Sequence, residues 1–203
     1  GAQGTGLGYR LAKAGFNVIL GSRDGAKAVA TAAEVGNGIT GADNVECSTK
    51  SDLVIVAVPW DSHKYTLTSL KNELAGKVVI DCVNPMGFDA GGAFPLAVEE
   101  GSACAQAQGI LNESYVVIAF NHVSAVLLSD QSLAEIDIDI MVVGDHKPAT
   151  DLVQQMVDQI AGMRGIYAGK MRNAGQVEAL TANLISMNRR YKTHAGVRVI
   201  GVN

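Results

Sequence analysis

The chain has 203 residues, 48% of them apolar and 18% charged, with 23 glycines, four prolines and a formal net charge of −4. That composition can fill a core and excludes intrinsic disorder; no apolar run reaches the ~20 residues of a membrane helix, and the acidic balance argues against nucleic acid as a partner. Cys47, Cys82 and Cys104 form an odd, scattered set without metal-ligand spacing, and no signal peptide is visible, so the expected home is a reducing cytoplasm.

Helical and extended patterns alternate along the chain. Helix is expected over Thr5 to Ala14, strand over Asn17 to Leu20, helix over Ala26 to Val35, and strand over Leu53 to Val58. A helix from Ser62 to Leu74 and a strand from Val78 to Cys82 follow, then a glycine-rich loop from Asn84 to Phe94 and a helix over Ser102 to Ile110. Strands at Tyr115 to Phe120 and Ile138 to Val143, a helix at Ala149 to Ile160 and a short strand near Gly165 to Tyr167 complete the rhythm. It predicts a doubly wound, mostly parallel Rossmann α/β sheet over 1–169. The remainder, 170–203, reads as a small helical C-terminal lobe. Its apolar stripe runs through Val177, Leu180, Leu184 and Ile185, with Asn173 and Gln176 at capping-box spacing.

The opening residues, Gly1-Ala2-Gln3-Gly4-Thr5-Gly6, match a phosphate loop leading into a helix. Glycines let a pyrophosphate approach the backbone, and the helix start supplies free N–H groups and a positive dipole end. Gly1, Gly4 and Gly6 suit that task, and Gly8 suits close helix-to-strand packing. No strand precedes the loop, so a strand of ~5–9 residues upstream of Gly1 is expected in the natural product. The second strand ends in Gly21-Ser22-Arg23, where NAD-binding domains carry a carboxylate for the ribose 2′-OH. A hydroxyl and a guanidinium there favour a 2′-phosphate, and Lys27 adds a third donor. NADP is therefore the expected nucleotide.

In open parallel sheets, ligands lie beyond the carboxyl ends of the strands. Pro59 and Trp60 follow one such end, Asn84 and Pro85 a second, and His122-Val123-Ser124-Ala125 a third. His122 is a candidate for orienting a cofactor amide or moving a proton; a structural histidine bonded to backbone is the alternative. No Ser-His-Asp or Cys-His nucleophile arrangement is present, and Cys82 reads as packing. From residue 170 on, six basic residues (Lys170, Arg172, Arg189, Arg190, Lys192, Arg198) face one acid, Glu178, which points to an anionic partner.

Several blocks together resemble the NADPH-dependent reductases of the deazaflavin coenzyme F-420, especially their actinobacterial branch. These are Leu20-Gly21-Ser22-Arg23-Asp24, Val58-Pro59-Trp60, Asp81 to Phe88, His122 to Leu128, and the run from Val177 through Asn188-Arg189-Arg190-Tyr191-Lys192 to His194-Ala195-Gly196. The resemblance implies NADP(H) bound by Gly1, Ala2, Gln3, Ser22, Arg23 and Lys27. It places Trp60, Pro85 and the His122 to Ala125 segment at the nicotinamide, and coenzyme F-420 as second substrate near Ala195 and Gly196. It further implies a homodimer, hydride transfer by positioning alone, and the coenzyme's anionic tail as partner for the basic cluster. A ferric or flavin reductase and a non-catalytic NADP-binding module remain the alternatives.

Overall fold

The computed structural model describes residues 1–202. In chain order the elements are α1 (Ala2–Lys13), β1 (Ile19–Ser22), α2 (Gly25–Val35), β2 (Thr40–Asp43), α3 (Asn44–Lys50), β3 (Leu53–Val56), α4 (Trp60–Ser69), α5 (Lys71–Leu74) and β4 (Val78–Asp81). Then come β5 (Met86–Asp89), β6 (Gly92–Pro95), α6 (Ala103–Ile110), β7 (Tyr115–Ile118), α7 (Ala125–Ser129), β8 (Ile138–Val143), α8 (Lys147–Asp158), β9 (Met163–Gly169) and α9 (Ala174–Tyr191).

The central sheet runs β3-β4-β7-β8-β9, parallel throughout except at the β7/β8 junction, and β1 and β2 form a separate parallel pair. This is the doubly wound, mostly parallel α/β fold that the alternation predicts. Its strands are apolar on both faces because both faces are covered. Ile80, Val117, Ile138, Ile140 and Val142 pack with Leu7, Leu11, Leu128, Val153 and Val157 on one side. Val79, Val116 and Ile118 pack with Leu67, Leu74, Cys104, Leu111, Ala174 and Val177 on the other. No helix among the described residues is long and apolar enough to cross a membrane.

Four local expectations are corrected. The glycine-rich stretch after Asn84 is not a loop but the antiparallel hairpin β5–β6, registered Met86 against Pro95 and Asp89 against Gly92. Asp89 closes its turn by accepting from the N–H of Gly91 (2.7 Å) and Gly92 (3.1 Å), a local bond that competes with loop conformations. The helix expected over Ser62 to Leu74 is broken at Leu70, which leaves the helical region (φ −110°, ψ 9°). β2, α3 and α7 have no counterpart in the sequence reading, being too short to show a period. Finally, Asn173 makes no side-chain cap: a 3-10 turn at Met171–Asn173 leads into α9, and Asn173 itself sits at ψ 0° rather than in the extended conformation a capping side chain needs.

Candidate functional site

β3, β4 and β7 run parallel, so their carboxyl ends open on one edge, and a cleft of about 480 Å³ lies there. That volume falls in the range of small-molecule sites. Its lining includes Gly1, Ala2 and Gln3 from the start of α1, Pro59 and Trp60 after β3, Asn84 after β4, and His122, Val123, Ser124 and Ala125 after β7. Ala195 reaches it from the C-terminal tail. Residues separated by more than 190 positions thus converge on one cavity. Thr181, Leu184, Ile185 and Asn188 of α9 form a further wall. Their spacing of three or four marks one helix face, the signal by which the sequence could have assigned them.

One end of the cleft is built from the start of α1. Its first turn has no side-chain cap, and its leading N–H groups have no intrahelical acceptor, which leaves them for an anion. A Cβ at Gly1 would meet nothing within 4 Å, so the approach is open. Gly6 has a different task from the one expected: a Cβ there would lie 2.6 Å from the Leu128 Cβ, so this glycine lets α7 approach α1. Gly8 does lie close to β1, 3.0 Å from Leu20 Cδ2 in the same sense.

The stretch expected as a loop is helical from Ala2 on, and Gln3 Nε2 donates to the Phe120 carbonyl (3.0 Å), tying the first turn of α1 to the end of β7. Phe120 is fully buried at φ 64°, a left-handed conformation that bulky residues avoid and that the surrounding packing must impose. It turns the chain so that the next residues line the cleft. Asn84 Nδ2 donates to the Asn121 carbonyl (2.7 Å), Asn121 Nδ2 donates to the Val83 carbonyl (3.2 Å), and Thr181 Oγ1 donates to the Asn121 carbonyl (3.0 Å). The ends of β4 and β7 and helix α9 are thereby stitched together.

His122 accepts from the Met141 N–H through Nε2 (3.1 Å), which assigns the proton to Nδ1. Burial pulls its pKa down to about 4, although its backbone surroundings and Asp139 act the other way. It is a neutral ring at physiological pH and no source of a proton. Its Nδ1 and the Oδ1 of Asn121 are buried without a partner, the two polar atoms of the cleft residues left unsatisfied among the described residues. Burial, with Asp81 nearby, pushes the Cys82 thiol well up, so it packs rather than attacks.

Ser22, Arg23 and Lys27 sit outside the cleft lining, at the end of β1 and the first turn of α2. Asp24 caps α2 by accepting from the Lys27 N–H (3.2 Å), and Ser22 Oγ accepts from the Asp24 N–H (3.3 Å), so the Ser22 hydroxyl proton stays available. Arg23 and Lys27 are exposed and make no ion pair among the described residues. Pro85 and Gly196 do not line the cavity. Pro85 is buried at the foot of the hairpin, its carbonyl accepting from the Leu96 N–H (2.9 Å). A Cβ at Gly196 would lie 2.8 Å from Ile138 Cδ1, so this glycine lets the tail cross the sheet.

The tail is strapped down. Asp139, fully buried, takes Arg164 Nε and Arg198 Nη1 (both 2.7 Å) and the Val199 N–H (2.6 Å), and its own N–H donates to the Val197 carbonyl (2.8 Å). These bonds, with Ser124 Oγ 3.3 Å from His194 Nδ1, bring Ala195 to the cleft. One member of the basic cluster, Arg198, is therefore an internal clamp. Arg189 and Arg190 instead line a second cavity of about 390 Å³ between α9 and the β5–β6 hairpin. Ile185 borders both cavities.

A mostly parallel sheet with an uncapped helix start, a cleft at its strand ends and a second wall from a C-terminal helix defines a Rossmann-type α/β protein with a ligand cleft at its strand ends. Residues 1–85 match the family described as NADP oxidoreductase, coenzyme F-420-dependent. The F-420-dependent NADP reductase of Methanothermobacter marburgensis is 36% identical, over 98% of this chain and 94% of its own. The enzyme of that name from Methanocaldococcus jannaschii is 33% identical over the same shares. A crystal structure of a putative F-420-dependent NADP reductase from Arthrobacter sp. FB24 shares the fold, with a TM-score of 0.84 and 24% identity over 98% of this chain and 96% of that one. The chain belongs to the family of F-420-dependent NADP reductases.

Proposed function

We propose that this protein is an NADPH-dependent coenzyme F-420 reductase, transferring a hydride between NADP(H) and the deazaflavin. The observation that carries the reading is the single cleft that joins the start of α1 to Trp60, His122 and Ala195. The two cofactors supply the redox chemistry, which needs their rings stacked within ~3–3.5 Å.

The chain's own work is to bind, orient and exclude water. Gly1, Ala2 and Gln3 hold the pyrophosphate by backbone N–H groups, and Ser22, Arg23 and Lys27 hold the 2′-phosphate. Trp60, Asn84 and His122 to Ala125 wall the nicotinamide, with Pro59 and Pro85 shaping the turns that present them. Thr181, Ile185 and Ala195 wall the second ring. Residues 1–169 then act as the nucleotide-binding part and 170–203 as the deazaflavin-binding part. The neutral, backbone-bonded His122 fits hydride transfer, which moves no proton at either ring carbon. Three free cysteines, two of them buried, fit a reducing cytoplasm.

The direct test mixes protein, NADPH and oxidised deazaflavin and follows loss of the deazaflavin's visible absorbance; no loss would refute the reading. Nucleotide choice is tested by Arg23→Ala. A charge-assisted bond is worth ~1.5–3 kcal/mol, so NADPH affinity should fall roughly tenfold to a hundredfold while NADH affinity barely changes. Equal weakening of both nucleotides would make Arg23 structural. Arg189→Glu or Arg190→Glu should raise the Michaelis constant for the deazaflavin and reduce its salt sensitivity, because these residues line the second cavity, which shares the Ile185 wall with the first. Each exposed contact contributes only ~0.2–1 kcal/mol, so the shift should be a few-fold. An unchanged salt dependence would remove the tail from this cavity.

A further inference from the structure

A buried polar chain lies behind the cleft, and none of its side chains lines it. His63 on α4 (0% exposed) and Asp81 at the end of β4 (1%) are joined Nε2 to Oδ2 at 2.8 Å. Asp81 Oδ1 accepts from the Val83 N–H at 3.0 Å. On its other side, His63 Nδ1 lies 3.3 Å from Gln106 Oε1 on α6, and Gln106 Nε2 donates to Glu100 at 3.2 Å. Glu178 on α9 accepts from the Ala103 and Cys104 N–H groups (2.9 and 3.1 Å), the first turn of the same α6.

Stability alone does not account for such a pair. Desolvation offsets most of the attraction, and apolar residues of similar volume do as well or better. The ends of the chain of bonds are more telling. α4 begins at Trp60, Val83 and Asn84 follow Asp81, and α9 carries Thr181, Ile185 and Asn188; all of these line the cleft. The His63–Asp81 bond therefore joins two elements that present different walls of one site, and the remaining bonds reach α9 only through α6, which lies behind the cleft.

We propose that His63 and Asp81 are positioning residues for hydride transfer: their hydrogen bond locks the Trp60 wall to the Val83–Asn84 wall, and Gln106 and Glu178 tie both to α9 by way of α6. The proposal rests on the cleft being the hydride-transfer site. It does not require His63 or Asp81 to touch either cofactor. A displacement of about 1 Å far from the chemistry can cost ~10²-fold in rate, so a bond that fixes wall spacing acts on kcat. Nucleotide affinity, set by the distant start of α1 and by Ser22 and Arg23, should move little.

The pair also titrates in view of a reporter. Trp60 is the sole tryptophan, and its ring centroid lies 5.4 Å from that of His63. The titratable groups facing His63 are Asp81 from β4 and Glu178 from α9, with Cys104 and, through Gln106, Glu100 beyond them. Burial lowers the His63 pKa, but the Asp81 hydrogen bond and charge, with Gln106 and Glu178, outweigh it, and the net shift is upward. Burial pushes Glu178 up to about 7 against its two backbone donors. The raised His63 holds its proton in the folded state, so its bond to Asp81 is strongest at mildly acid pH and weakens as pH rises through the His63 value, whereas the two backbone donors grip Glu178 most firmly once it is ionised.

The experiment has two arms. In the ligand-free protein, Trp60 emission, quenched by a protonated imidazole, should rise with pH in a step centred above the ordinary histidine value. Asp81→Asn should move that midpoint down, and His63→Gln should abolish the step. In the kinetic arm, the double variant His63→Leu/Asp81→Asn carries no unpaired buried charge and so keeps the fold. It should lose about tenfold or more in kcat while NADPH binds within about twofold of wild type. His63→Gln, which keeps a donor where Nε2 stands, should recover most of that loss. A double variant with wild-type kcat per folded molecule, or a Trp60 midpoint that ignores Asp81→Asn, would overturn the proposal. A wild-type chain unable to reduce the deazaflavin would instead refute the functional reading, with the emission arm and NADPH affinity still judging the coupling.

Discussion

Ala195→Trp should abolish hydride transfer to the deazaflavin and leave NADPH binding intact. Ala195 lines the cleft beside Thr181 and Ile185, and its N–H donates to Asn188 Oδ1 at 2.6 Å, so its side chain is fixed relative to α9. The backbone cannot retreat to accommodate an indole. On one side His194 is held against Ser124; on the other, Val197, Arg198 and Val199 are bound to Asp139 and Arg164. The indole must therefore enter the space of the second ring. The anchors of NADPH, at the start of α1 and at Ser22 and Arg23, lie on other elements and are untouched. Steady-state kinetics with both cofactors varied, together with calorimetric NADPH binding, checks both halves. An Ala195→Trp enzyme reducing the deazaflavin at the wild-type rate would place the second ring elsewhere.

The largest effect on stability is expected at Arg10. This residue sits on the buried face of α1, only 4% exposed, between Leu7 and Leu11. Its guanidinium donates to the carbonyls of Leu127 (2.9 Å), Leu128 (3.0 Å), Asp130 (2.6 Å) and Leu133 (2.8 Å). Those carbonyls belong to the last turn of α7 and the segment after it, groups a helix end cannot satisfy by itself. Arg10→Met preserves much of the stem but removes the guanidinium donors; the Asp130 carbonyl keeps the Leu133 N–H, while the buried Leu128 carbonyl loses its Arg10 donor. A hydrogen bond to a charged group contributes ~1.5–3 kcal/mol, so losing the guanidinium removes a large share of the ~5–15 kcal/mol that holds a domain folded. Urea denaturation should show a lower midpoint with an unchanged slope. Arg10→Lys should not rescue, since a compact ammonium lacks the five-donor fork that reaches four carbonyls. A loss below ~1 kcal/mol would mean that the carbonyls find other donors. Because α7 begins at Ala125, on the cleft, Arg10 also braces a wall of the site through helix packing at Gly6 and Leu128.

Local pattern determined a good deal of this protein. The alternation of helix and strand periods announced the parallel sheet, since strands covered on both faces must be apolar throughout and the helices between them amphipathic. Short motifs at strand ends announced much of the cleft, because the ligand side of a parallel sheet follows from strand direction alone. Trp60, Asn84, His122 and Ala125 could be assigned without any knowledge of their partners. Other features depend on contacts far apart in the chain, and only the tertiary structure decided them. Gly6 reads as a phosphate-loop glycine until Leu128 is seen against it. Nothing in the local sequence marks Arg10, whose role comes from four carbonyls more than 110 positions away. Gly196 reads as a pocket wall until Ile138 is found beneath it, and Arg198 as a ligand contact until Asp139 is found to hold it. The His63–Asp81 pair carries no spacing signal, because α4 and β4 come together only through the sheet. Periodicity and turn chemistry act over a few residues and are written in the order of the chain. Close approach, buried charge and carbonyl satisfaction depend on which distant segment arrives next to a residue, and packing alone decides that.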